Sequence, residues 1–179
     1  MEVKKINYKT HIVGGLALGF VAFNNIDILG VDINVSRNLA IASGGLIFGS
    51  LFPDIDKHNS YLSKRVKPIS MITSKVLKHR EFTHSIAGTL ILSLLMNIIL
   101  NNLNLNINTI KILSLSFTIG IISHIFLDMF TPAGVVLFYP IYKKKVRFGG
   151  FILSSKRFSI MEVIVIICLA ILAFANFKK

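Results

Sequence analysis

The chain has 179 residues, 53% of them hydrophobic and 16% charged, with a net charge of +12 from 20 Lys and Arg against 8 Asp and Glu. That length suits one domain, and a soluble domain with about 25% charged residues is excluded by the composition, so the apolar excess calls for lipid as solvent. On a soluble chain the charge would point to nucleic acid; on one this apolar it reports topology and contact with anionic lipid headgroups, and nucleic acid is the poorer reading.

Five apolar stretches follow one another, over roughly 11–28, 38–52, 84–103, 110–130 and 160–177. The last three approach the ~20 residues that a helix needs to cross a bilayer at 1.5 Å per residue. The first two are shorter, which implies tilt, re-entry or shielding by neighbours. The first carries His11 and several glycines and leads to no small-residue cleavage site, unlike a secretory signal. The only cysteine, Cys168, sits in the last stretch, so no disulfide framework is expected. The expected fold is all-α: a single membrane-embedded domain over 1–179, a bundle of about five transmembrane helices.

The basic residues set the orientation. Lys4, Lys5 and Lys9 precede the first stretch, seven more lie between Lys57 and Arg80, and Lys143, Lys144, Lys145, Arg147, Lys156 and Arg157 follow the fourth. The opposite side keeps Arg37, Lys111, Lys178 and Lys179. Positive residues stay inside, so the N-terminus and both basic loops are expected in the cytoplasm of a multi-pass cell-membrane protein. Gly15-xxx-Gly19 and Gly45-xxx-Gly49 are expected to pair the first two helices, because small residues four apart let two backbones approach. Residues 68–78 open with a proline and place Ile69, Ile72 and Val76 on one face, as in a short amphipathic helix lying on the inner surface.

The polar residues that a membrane helix avoids all fall at one height. His11 opens the first stretch, Asp54 and Asp56 close the second, His79 and His84 flank the third, and His124 and Asp128 end the fourth. Ionisable groups bordering a membrane segment usually face one another or a polar cavity. His with Asp suits Zn or another divalent first-row ion, and two ions sharing a carboxylate would account for so many ligands. His124 and Asp128 leave one helix face, being four apart. Each residue also has a plainer explanation: His124 with Asp128 as a hydrogen-bonded pair, Asp54 as a turn residue, His11 as a boundary residue. Their shared height argues for a site. Asp56 or Glu81 is placed to take a proton, and Arg80 to hold a phosphoryl oxygen.

Four blocks carry a family resemblance: THIVGGLALG at 10–19, GSLFPDID at 49–56, HREFTHS at 79–85 and SHIFLDMFTPAG at 123–134. In this order they resemble the YdjM-type family, described as membrane-bound metal-dependent hydrolases. That family is in turn similar to the zinc-dependent phospholipase C and P1 nuclease group, all-helical enzymes that cleave phosphodiesters at a zinc cluster. The resemblance implies zinc ligands at His11, Asp54, His79 or His84, His124 and Asp128, with Asp128 bridging. The group's further His-xxx-Glu pair, which holds a third ion, is absent after Asp128.

The function expected is metal-dependent hydrolysis of a phosphoester in a lipid-borne substrate at the cytoplasmic leaflet, phospholipase C-like, with two Zn²⁺ ions. Two other readings use the same residues. A transporter or ion-handling protein would spread its polar groups along a path near mid-bilayer, often with repeat symmetry. A scaffold with basic cytoplasmic loops would leave the His/Asp set without a purpose. Nothing in the sequence bears on oligomeric state.

Overall fold

The computed structural model describes residues 7–25, 36–56 and 80–148, with the isolated positions 167 and 171. They form five α-helices, α1 (Tyr8–Asn25), α2 (Ser36–Leu51), α3 (Arg80–Thr83), α4 (Ile86–Asn101) and α5 (Ile107–Asp128), of which α3 is a single turn. A 3-10 helix, Phe52–Asp56, prolongs α2. Pro53 has no N–H to continue the α-helical ladder, so the chain tightens there and turns.

The all-α expectation holds among the described residues. Ser36–Ile55 and Ile107–Asp128 are long and apolar enough to cross a membrane, while Tyr8–Phe23 and Ile86–Asn101 are apolar but shorter. The fifth stretch, 160–177, lies outside the described residues except for Ile167 and Ile171, and so does the amphipathic segment 68–78.

Helix α5 is the axis of the fold. Phe117, Ile121, Ile125 and Met129 on it pack with Leu92 of α4 and Val135 beyond its end, and Ile112 packs with Ala42 of α2. Helix α1 lies on both α2 and α5, whereas α4 leans on α5 and its own lead-in turn. Hydroxyl and amide groups stitch that last pair: Thr118 Oγ1 donates to Ser93 Oγ at 2.9 Å and Asn97 Nδ2 to Ser114 Oγ at 3.1 Å. In lipid such bonds help hold helices that have no water to squeeze out. The outer face of α4 presents an exposed row of Leu90, Ile91, Leu94, Leu95, Ile98 and Ile99, and so large an apolar patch suits acyl chains better than water.

Glycine governs the closest approaches. A Cβ on Gly49 would strike the Phe117 carbonyl oxygen of α5, and one on Gly120 would lie 2.6 Å from the Leu46 oxygen of α2. A Cβ on Gly15 would lie 2.9 Å from Ser50 Cβ, and one on Gly19 would run into the Leu46 side chain. The first motif therefore does seat α1 on α2. The second does not return the contact, because Gly45 and Gly49 face α5.

Candidate metal centre

Four chain segments bring their ends together at one end of the bundle. They are the start of α1, the 3-10 turn after α2, the turn before α4 and the last turns of α5. Each of them delivers polar side chains there.

His11 lies in the first turn of α1, where the Asn7 side chain accepts from the Lys9 N–H at 3.3 Å. One turn on, Gly14 and Gly15 let α1 sink between α5 and α2: a Cβ on Gly14 would collide with Leu127, as one on Gly15 would with Ser50. The His11 ring consequently stacks on His124, with centroids 3.8 Å apart and planes 12° from parallel. Asp54 comes from the Pro53 turn. His84 sits in the corner between α3 and α4, which Ser85 closes by donating to the Phe82 carbonyl and accepting from the Gly88 N–H at 3.0 Å. A Cβ on Gly88 would overlap the Phe82 carbonyl, so the corner has this shape only with glycine there. His124 and Asp128 share a face of α5, with His124 Nε2 3.7 Å from Asp128 Oδ2.

The donor atoms lie at metal-site spacing. His84 Nε2 is 3.4 Å from Asp54 Oδ1, 3.5 Å from Asp128 Oδ2 and 3.3 Å from His124 Nε2. His124 Nε2 is 3.6 Å from Asp54 Oδ1. A tetrahedral ion with bonds of about 2.0–2.1 Å holds its ligands roughly 3.3–3.4 Å apart. The other oxygen of Asp128, Oδ1, turns to His11 Nε2 at 3.6 Å. One carboxylate thus addresses His84 and His124 with one oxygen and His11 with the other. Two overlapping triplets, Asp54/His84/His124 and His11/His124/Asp128, could each hold an ion.

Surrounding groups orient these side chains. His124 Nδ1 lies 2.6 Å from the Ser50 carbonyl oxygen. A carbonyl only accepts, so Nδ1 carries a proton and Nε2 is the ring nitrogen that faces the cluster. His84 Nδ1 pairs with Thr83 Oγ1 at 2.9 Å. The 3.3 Å contact between the two Nε2 atoms needs a proton or a metal ion between them. Burial alone would lower the His84 pKa; hydrogen bonding and charge from Asp128 and Asp54 outweigh it and hold that pKa above the ordinary histidine value. His11, His84, His124 and Asp128 are buried, and Asp54, its side chain 21% exposed, marks the open side.

Of the residues singled out in the sequence, the structure brings together His11, Asp54, His84, His124 and Asp128. It takes His84 from the HREFTHS block, while His79 lies outside the described residues. Asp56, Arg80 and Glu81 are described in backbone only, at the end of the 3-10 helix and the opening of α3. Thr83 and the Ser50 carbonyl escape a reading by residue type. Their positions beside His84 and inside the GSLFPDID block were the available hints.

A family model described as YdjM inner membrane protein matches residues 6–179. The chain is 32% identical over 132 residues to the uncharacterized protein YvsG of Bacillus subtilis, covering 74% of this chain and 72% of that one. It is 37% identical over 94 residues to the inner membrane protein YdjM of Escherichia coli, covering 52% of this chain but only 46% of that protein. The uncharacterized protein YfhP of Bacillus subtilis is 30% identical over 141 residues, 39% of its own length. No solved structure matches the chain.

Proposed function

The chain belongs to the YdjM inner membrane protein family, and from that premise we propose that it is a multi-pass, metal-dependent hydrolase cleaving a phosphoester of a lipid-borne substrate at the cytoplasmic leaflet. The observation that carries this reading is the convergence of three imidazoles and two carboxylates at ligand-to-ligand spacing on one end of an apolar bundle. The donor set of His and Asp suits zinc. Asp54, His84, His124 and Asp128 would hold one ion, and His11 with Asp128 would contribute to a second. Ions held there supply Lewis acidity, acidifying a water and neutralising charge on a phosphoryl group.

The protein's own groups do the rest. The Ser50 carbonyl and Thr83 hold the two imidazoles in register. Asp128 ties the two halves of the cluster together. Asp56 or Glu81 accepts the proton released by the attacking water, and Arg80 pairs with a non-bridging oxygen; these three roles follow from their places beside Asp54 and His84 in the chain. Helix polarity supports the cytoplasmic assignment. Lys9 lies in the first turn of α1 and Lys143–Lys145 in the loop that follows α5, at the cluster end, and Arg37 and Lys111 open α2 and α5 at the other.

The test reconstitutes the full chain in nanodiscs of anionic lipid doped with phosphodiester, phosphomonoester or carboxylester lipids, with and without chelator. The expected outcome is about two transition-metal ions per chain by elemental analysis and chelator-sensitive product release from a phosphoester lipid. His124→Ala and Asp128→Ala should lose both. Turnover that survives the chelator and Asp128→Ala, or variants that keep full metal, would overturn the reading.

A further inference from the structure

After α5, up to residue 148, runs a loop that the proposed metal cluster does not use. We propose that this loop, residues 136–148, is an interfacial foot that seats on anionic phospholipid headgroups beside the His/Asp cluster. The inference rests on membrane residence of the chain and is independent of the hydrolytic reading.

The base of the loop is pinned at the cluster end. Val135 and Val146 exchange backbone hydrogen bonds of 3.1 and 2.7 Å, and the Phe148 N–H donates to the Met129 carbonyl at 2.9 Å. On the other flank the Ile86 N–H, which opens α4, donates to the Leu137 carbonyl at 2.9 Å. The loop therefore bridges the start of α4, next to His84, and the end of α5, next to Asp128. Gly134, at φ 60°, makes the turn that launches it, in a conformation open to glycine at little cost.

What the loop presents is apolar and cationic together. Ile141 is 95% exposed, and Phe138 and Tyr142 on either side are about half-exposed. Lys143, Lys144, Lys145 and Arg147 follow directly, all exposed. No acidic residue occurs between Asp128 and Glu162. Behind the loop, the rings of Phe126, Phe130 and Phe148 form a second exposed patch, with centroids 5.2 Å apart for the first pair and 5.6 Å for Phe130 and Phe148. An aliphatic tip left in water, flanked by aromatic rings and a run of lysines, matches the boundary between acyl chains and phosphates: the tip enters the first, the cations reach the second. A nucleic acid would satisfy the lysines and leave Ile141 in water. The lipid surface satisfies both.

The chain has no tryptophan, so Ile141→Trp makes the full-length protein a single-tryptophan reporter, with Tyr142→Trp as a second probe should the first variant misfold. In nanodiscs of mixed phosphatidylglycerol and phosphatidylcholine, emission should shift to the blue, lose quenching by aqueous iodide, and gain quenching from lipids brominated high in the acyl chain. Replacing Lys143, Lys144 and Lys145 by Ala should abolish the difference between these discs and discs of phosphatidylcholine alone. Emission typical of water in both discs, open to iodide and blind to bromolipid, would overturn the proposal. So would a shift produced only on adding an oligonucleotide. Neither readout depends on bound metal or turnover, so the foot can fail while the hydrolase stands, and the reverse.

Discussion

His124 is held from both sides: its Nδ1 proton is committed to the Ser50 carbonyl, its Nε2 to the cluster, and its ring face to His11. His84 has the looser tether, a hydroxyl from Thr83, and that makes Thr83 the informative residue to change. Thr83→Val keeps the buried shape and removes the oxygen, so metal affinity should fall about 10–100-fold, with Thr83→Ser restoring most of it; competition with a coloured chelator measures both. Acid should weaken binding as well. Because Asp128 and Asp54 raise the His84 pKa, a proton competes with the ion for Nε2 at a higher pH than for an ordinary histidine, and affinity should fall as pH drops through that raised value. The histidines and aspartates were legible in the sequence because their residue types are expensive in lipid. Thr83 and Ser50 were not, since a threonine is unremarkable in any helix turn and a backbone carbonyl has no residue type.

Among the elements, the pairing of α2 with α5 sets the geometry that α1 and α4 then follow. Gly49 and Gly120 lie where the two backbones nearly touch, whereas Gly44, on the same helix, has nothing within 4 Å of its would-be Cβ. Gly49→Ala or Gly120→Ala should therefore cost about 1–3 kcal/mol through overpacking and displace Ser50 from His124. Gly44→Ala should be neutral or slightly stabilising, since alanine favours helix by about 1 kcal/mol over glycine. Thermal unfolding in detergent separates the three. A small-residue motif shows in a sequence as a face that can be approached closely, without saying by what. Gly45-xxx-Gly49 was read as a partner for Gly15-xxx-Gly19 and proves to be a seat for α5. The elements themselves were easier: apolar runs, a proline at 53 and the Ser85 cap mark their ends with local chemistry.

At the scale of the molecule, the described helices place the starts of α1 and α4 and the ends of α2 and α5 at one end, as an up-and-down bundle requires. A reporter fused after Asn104, in the link between α4 and α5, should behave as extracytoplasmic and one after Lys145 as cytoplasmic; the same side for both would break the proposed topology. The number of crossings was less legible than the site. An apolar window counts residues regardless of where the hydrogen-bond ladder starts and stops, and α4 keeps 16 residues, Ile86–Asn101, of an apolar run read as 84–103. A helix that short spans only with help from its neighbours or from thinned lipid.

The stretches that supply the cluster are far apart along the chain: position 11, position 54, position 84 and the pair at 124 and 128. The ion proposed to sit among them would work as a rivet through four strips of the chain. Because the unfolded chain has no such site, affinity for the ion becomes resistance to unfolding, about 2.7 kcal/mol when free metal stands at 100 times its dissociation constant. Stripping metal from the native protein should then lower its melting temperature and open the α1 end to protease, while Asp128→Ala, with no rivet to lose, should melt at the same temperature with chelator or without. On the proposed reading, a protein assembled in a metal-poor cell would meet the same fate, and the supply of the ion would set how much of it survives in the membrane.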